Sequence, residues 1–176
     1  MVLTSDSRID ADLVTAAQRG EAGAFEQLYA THAHLVHAIL LGRLPAFDAD
    51  DALQEVFMTV YTKLGTLRQP AAFVGWIARI ARNRASDFLR GTSESIQLDE
   101  RYASRATQAN AAEAAGVLAA IRELPEAYRE TLMLRLVEGM TGPEIAARTG
   151  LTPGSVRVNL HRGMQLLREA LKGGYG

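Results

Sequence analysis

The chain has 176 residues, 48% of them hydrophobic and 22% charged, no cysteine and a formal net charge of −1. That length admits one or two domains with ample cores. The missing cysteine excludes disulfides and cysteine-based zinc sites and fits a reducing cytosol. No apolar run is long enough to cross a membrane, and the start, MVLTSDSRIDADL, lacks the basic-then-apolar pattern of a signal peptide. Near-neutrality also excludes a general nucleic-acid coat protein, but the charge is unevenly spread. Residues 1–67 carry 4 basic and 9 acidic side chains, residues 68–90 carry 5 and 1, residues 91–119 carry 2 and 4, and residues 120–176 carry 8 and 6. An acidic front followed by a basic strip points to two partners, one basic and one anionic.

The first helix is expected from about Asp10 to Gly20, with Leu13, Val14 and Ala17 inward. A second runs from about Ala24 to Leu41, packing Phe25, Leu28, Tyr29, Val36, Ile39 and Leu40. His32, His34 and His37 suggest metal ligands, but only His34 and His37 share a helical face. No cysteine or nearby carboxylate completes a set, so they read as ordinary, partly exposed histidines and no metal is expected. Residues 48–64 come next, DADDALQEVFMTVYTKL. Leu53, Val56, Phe57, Val60, Tyr61 and Leu64 repeat at helical spacing. Asp48, Asp50 and Asp51 sit at the helix start, where the dipole favours anions. Capping does not explain Gln54 and Glu55, which extend the acidic outer surface. Paired carboxylates also fit acid–base or metal chemistry, yet no His, Ser or Lys constellation accompanies them. A docking surface for a basic partner fits better.

Residues 68–90, RQPAAFVGWIARIARNRASDFLR, form the basic strip. Pro70 and Gly75 mark a turn or helix entry. Ile77, Ile80, Ala81 and Phe88 or Leu89 face inward, while Arg79, Arg82, Arg84 and Arg90 spread positive charge. Phe73 and the single tryptophan, Trp76, precede the arginines. Cations that hold phosphates beside rings that stack on bases, for roughly 1–3 kcal/mol per base, are the equipment of single-strand binding. The competing reading is a core Trp76 with solvated arginines.

Residues 91–111, GTSESIQLDERYASRATQANA, have few large apolar side chains and read as a linker without fixed structure. About 20 extended residues reach roughly 70 Å at most. The second domain starts near Ala112. Leu118, Ile121 and Leu124 form one helix side. Pro125 opens the next helix, whose Leu132, Met133, Leu136 and Val137 cover the pair of short helices beyond it. That pair, Thr141 to Gly163, reads as helix, turn, helix. Thr141 with Glu144 makes a capping box, flanked by a Met140–Ile145 staple. Gly150 supplies the left-handed turn residue, Thr152 caps again, Pro153 takes the first helical position, and Leu151 and Val156 form a second staple. Val156, Leu160, Leu167 and Leu171, with Met164 beside them, face inward. Ser155, Arg157, Val158, Asn159, His161 and Arg162 lie off that stripe. Arg pairs with guanine, Asn with adenine, and Val158 suits a thymine methyl. A helix-turn-helix normally sets its second helix in the major groove; the plain alternative is a solvated face on a structural hairpin.

Three segments in this order resemble the extracytoplasmic-function sigma factors, two-domain bacterial transcription initiation factors. DADDALQEVF resembles the region 2 helix that docks on RNA polymerase. WIARIARNRASDFLR resembles the segment that reads the downstream (−10) element. LPEAYRETLMLRLVEGMTGPEIAARTGLTPGSVRVNLHRGMQLLREAL resembles region 4, which reads the upstream (−35) element. The resemblance spans about Asp10 to Lys172. It implies an all-α fold of two small helical domains, region 2 over 1–90 and region 4 over 112–176, joined by the linker 91–111, which in the family threads the polymerase channel. Asp50, Asp51, Gln54, Glu55 and Phe57 then fall to core binding, against a basic coiled coil of the β′ subunit, with the β flap as a further polymerase contact. Phe73, Trp76, Arg79, Asn83, Arg84 and Arg90 fall to the single-stranded −10 element. Ser155, Arg157, Val158, Asn159, His161 and Arg162 fall to double-stranded −35 DNA. An anti-sigma partner that holds the chain at a membrane is implied by the family, as is a cytoplasmic location. The sequence departs from the family at RQPAAFVG, apolar and small where many relatives are more polar, and at Gly142–Pro143, where an aromatic and an acidic residue are more usual.

No triad, phosphate loop or metal set is present, so no enzyme, cofactor or small-molecule substrate is expected. Two rival readings stand beside the sigma factor. One is a helix-turn-helix repressor or activator acting without polymerase, although no dimerisation helix comes after Leu171. The other is a sigma mimic that only sequesters a regulator, although the arginines needed for DNA are kept.

Overall fold

A computed structural model describes residues 5–94 and 108–173, and among them the chain is helical with no strand. An N-terminal unit contains α1 (Ser5–Gln18), α2 (Ala22–Leu41), α3 (Ala46–Lys63) and α4 (Phe73–Glu94). A C-terminal unit contains α5 (Gln108–Arg122), α6 (Glu126–Leu136), α7 (Gly142–Thr149) and α8 (Pro153–Gly173). The expected entry into α4 is a single 3-10 turn, Pro70–Ala72, with Gly75 already inside the helix. The linker expected over 91–111 falls largely on 95–107, outside the described residues; α4 and α5 reach into it from either end.

The pattern of apolar residues decides the packing. The helix α2 is apolar on most sides, as a helix surrounded by others must be, and it packs against α1, α3 and α4. Leu28, Leu35, Val36, Ile39 and Leu40 are buried there with Val56, Val60 and Leu64 of the third helical segment. The inner stripe of α4 is Phe73, Ile77, Ala81 and Ala85 at four-residue spacing, all wholly buried. Ile80 is half-buried against the core, and of Phe88 and Leu89 it is Phe88 that packs there while Leu89 is exposed. Tyr29 and Tyr61, expected inside, are also exposed.

One buried polar pair ties α1 down. His32 Nε2 lies 3.0 Å from Asp10 Oδ1, and the ring meets Phe73 at 5.2 Å, edge-on. His32 is thus wholly buried and structural, not partly exposed.

In the C-terminal unit, Ile121, Leu124, Leu132, Met133, Ile145, Val156 and Leu167 are buried. Local caps set the helix-turn-helix. The Glu144 carboxylate accepts from Thr141 N–H at 2.7 Å. Gly150 has φ of +73°. The Thr152 hydroxyl oxygen accepts from Ser155 N–H at 3.1 Å. Mid-helix Gly163 faces α6, and a Cβ there would lie 3.0 Å from a Leu132 methyl, so close approach explains the glycine. Contrary to expectation, Leu136 and Val137 do not cover this motif but are nearly half-exposed. Instead Thr131 to Leu134 are consecutively buried, because α6 is packed on two sides, by α8 and by α2 of the other unit. The two units therefore touch.

Candidate polymerase and nucleic-acid interfaces

Asp50, Asp51, Gln54 and Glu55 lie exposed along the first half of α3. Burial first, and then the charge of Asp51, raise the Asp48 carboxyl above its usual value. Phe57 is not on this surface; it is buried, tilted against Tyr29 at 4.5 Å. It floors an apolar groove of about 400 Å³ lined by Phe25, Tyr29, Gln54, Met58, Tyr61 and Thr62. Met58 and Tyr61 are each 69% exposed. An acidic edge beside an apolar groove suits an amphipathic, basic helix. Sequence reasoning misses the groove because it assigns Tyr61 to the core and passes over Met58.

On α4, Trp76, Arg79, Asn83 and Arg90 recur at intervals of three, four and seven residues, so they share one side. Trp76 is half-buried, and Arg79, Asn83 and Arg90 are exposed. Phe73 is wholly buried, 6.1 Å from the Trp76 ring. It supports Trp76 from below and offers no face to a base. Arg84 turns toward α3 and pairs with Glu55, and its Nε is buried without a hydrogen-bond partner. A residue expected on DNA and one expected on polymerase therefore hold each other. Arg90 pairs with Asp87.

On α8, Ser155, Arg157, Val158, His161 and Arg162 are exposed. Asn159 is half-buried. It lines a cleft with Arg82, Glu126, Glu130, Thr149 and Leu151, so part of the recognition face is turned toward α4.

Ion pairs that local spacing cannot reveal hold the two units together. Glu130 receives hydrogen bonds from Arg82 Nε and Nη2, each at 2.8 Å, and from Arg43 Nη1 at 3.1 Å. Arg43 also meets Glu126 at 2.5 Å. Burial alone would raise the Glu130 pKa, but the hydrogen bonds and charges of Arg82 and Arg43 outweigh it and hold the carboxyl below its usual value. The same hydrogen bond raises Arg82 further. Helix ends leave carbonyls unpaired, and the end of α2 is capped from the other unit. Arg122 Nε donates to Leu41 O at 2.9 Å, and Arg129 Nη1 donates to Gly42 O at 3.3 Å. Burial lowers the Arg122 pKa. His34 and His37 of α2 meet Glu138 in the turn after α6. These partners are 48 to 104 residues apart. Among the described residues, no group of three or more His, Asp and Glu is arranged to hold a metal ion.

Residues 28–94 match the family model described as Sigma-70 region 2, and residues 115–167 match that of Sigma-70, region 4. The chain is 36% identical over 164 residues to the RNA polymerase sigma factor CarQ of Myxococcus xanthus, covering 86% of this chain and 91% of that protein. It is 28% identical to the ECF RNA polymerase sigma-E factor of Escherichia coli K12, over 93% of this chain and 94% of that one. The chain belongs to the extracytoplasmic-function sigma factors. This sigma factor is also 31% identical to the RNA polymerase sigma-H factor of Pseudomonas aeruginosa, over 93% of the chain and 94% of that protein. Its fold is similar to that of CnrH in complex with the cytosolic domain of CnrY, with a TM-score of 0.61, 29% identity, and 94% and 98% of the two chains covered. A second likeness, of fold alone, is to RpoE of Bartonella quintana in complex with the anti-sigma factor NepR. It has a TM-score of 0.54, 20% identity, and 84% and 96% of the chains covered. As a member of this class the sigma factor binds core RNA polymerase and promoter DNA and directs transcription initiation. Among the described residues no helix is long and apolar enough to cross a membrane.

Proposed function

We propose that the sigma factor uses three faces in a fixed division of labour. Asp50, Asp51, Gln54 and Glu55 dock on a basic coiled coil of the polymerase β′ subunit, with Phe57 holding the adjoining groove in shape. Trp76, Arg79, Asn83, Arg84 and Arg90 engage the opened −10 strand, and Phe73 props the tryptophan. Ser155, Arg157, Val158, Asn159, His161 and Arg162 read the −35 duplex, with the C-terminal unit also contacting the β flap. The domains are residues 1–90 and 112–176, joined by 91–111. The chain catalyses no reaction, works in the cytoplasm and is restrained by an anti-sigma factor.

The observation that carries this reading is the alignment of Trp76, Arg79, Asn83 and Arg90 on one side of α4, a stacking ring followed by phosphate-reaching groups. It sits in the same chain as an acidic face and a capped helix-turn-helix. Energetics assign the order of events. Unstacking a base costs a few kcal/mol, and the free chain has Arg82 and Arg84 committed to carboxylates and Asn159 turned inward. Promoter elements about one and a half helical turns apart are separated by roughly 50 Å, so the units must part to reach both. Polymerase binding therefore comes first, and the tethered domains then gain from avidity.

Mobility-shift titration of a promoter fragment tests this. The chain with core polymerase should bind specifically, and the chain alone at least about 100-fold more weakly. Tight, specific binding by the chain alone would overturn the reading in favour of an independent repressor or activator.

A further inference from the structure

Arg82 holds Glu130 with two arms of its guanidinium. Nε donates to Oε1 and Nη2 to Oε2, each at 2.8 Å. An arginine uses the same two-bond fork on a phosphate. Arg82 also belongs to the helix assigned to the opened strand. It stands three residues beyond Arg79 and next to Asn83, at the edge of the side that carries Trp76, Arg79 and Asn83. Its side chain is 40% exposed, against 12% for that of Glu130. The guanidinium lines an open cleft that it shares with Asn159 of α8.

The cations and the anions of this cluster come from opposite units. Arg43 and Arg82 belong to the N-terminal unit, and Glu126 and Glu130 belong to α6. Among the described residues, the ion pairs of both arginines are with these two carboxylates. Parting the units takes both carboxylates away. It leaves two like charges that had converged on Glu130 Oε1, so opening is costly until another anion arrives. The two arginines are not left alike. Arg43 still donates to Ile39 O of its own unit, at 3.2 Å. Among the described residues, the Arg82 fork has its hydrogen bonds with Glu130 alone.

An opened promoter strand carries the missing anion, since each backbone phosphate offers two oxygens to a guanidinium fork. We propose that Arg82 is a further contact to the −10 strand, and that Glu130 occupies it in the closed chain in place of a backbone phosphate. Capture of the strand and release of the C-terminal unit are then one exchange of acceptors on Arg82. The same parting frees Asn159 from the cleft it shares with Arg82, so the −35 helix is uncovered as the −10 strand is held. A phosphate carries no base identity, so Arg82 adds affinity without sequence preference. This exchange rests on the proposed assignment of α4 to the opened strand.

The test sets closure against strand binding in the full chain. With no native cysteine, exposed Lys63 and Gln165 can be changed to cysteine and labelled, so that energy transfer reads closure. A promoter fragment with an unpaired −10 segment, added with saturating core polymerase, reads strand binding. Glu130→Gln and Arg82→Gln should each lower the closed-to-open ratio about fivefold or more, with helicity unchanged by circular dichroism. On the unpaired fragment the two should diverge. Glu130→Gln should bind at least as tightly as the original chain. Arg82→Gln should bind about three- to tenfold more weakly. Its plot of log affinity against log salt should be shallower by about 0.7, the share of one single-strand phosphate, and Arg82→Lys should recover that slope. Affinity and slope unchanged in Arg82→Gln would confine Arg82 to closure and overturn the exchange. An equal loss of strand binding in Glu130→Gln, or an unchanged closed-to-open ratio in Arg82→Gln, would overturn it too. Failure of the original chain to bind the fragment with core would instead bring down the −10 assignment itself, and the exchange with it.

Discussion

Glu130 is a carboxylate taken out of water, and only its two guanidinium partners make that tolerable. Removing one member of such a cluster leaves charge without compensation. Arg82 is partly solvated, which moderates the loss. Glu130→Gln should weaken the closed arrangement by about 1–3 kcal/mol. The carboxyl titrates below its ordinary value of 4.5 in the closed form. Its contribution is thus present above that value and is lost as pH falls through the lower, closed-state value. Energy transfer between the units should show the original chain opening as acid is added below about pH 4.5, with a shallower fall in Glu130→Gln. An unchanged acid limb would contradict this role. Single residues are legible in the sequence where their partners are local. Thr141 with Glu144, Gly150 and Thr152 announce their caps within a few positions. Glu130 and Glu138 announce nothing, because their partners lie on the other unit.

At the scale of the element, helical periodicity separates core from surface only as well as its phase is known. The third helix shows its apolar stripe plainly, yet Tyr61 sits at the edge of that stripe and is exposed. For α4, Phe73 ahead of the arginines reads as a base-stacking ring. The stripe Phe73, Ile77, Ala81, Ala85 places it in the core, and small alanines obscure that phase. The pairing of Arg84 with Glu55 needs two helices in register and is not readable from either. The second helix of the helix-turn-helix carries its own prediction. Gly163 lies against Leu132 and Tyr128 with no room for a large side chain. Gly163→Leu should destabilise the C-terminal unit by about 1–3 kcal/mol through overpacking, measured by urea denaturation. A stability within about 0.5 kcal/mol of the original would show that α6 and α8 do not pack as described.

Across the whole molecule, the order of the three segments identifies an all-α, two-unit sigma factor without structural help. What the sequence does not disclose is that the units close on each other. The contact is built from charges that individually resemble a solvated surface, and linker composition bears only on reach. Closure gives those charges a joint meaning, since it turns Asn159 inward, occupies Arg82, and connects Asp50 to Glu138 through His37. The central claim is that this chain directs polymerase to promoters through its acidic α3 face. Run-off transcription with core polymerase lacking any other sigma factor, over a promoter library, tests it most directly. Chain-dependent transcripts should appear and should fall at least about tenfold with Asp51→Ala/Gln54→Ala, each step of tenfold being about 1.4 kcal/mol of docking energy. Transcripts that persist undiminished in the double variant, or no chain-dependent transcript from any promoter, would contradict the account.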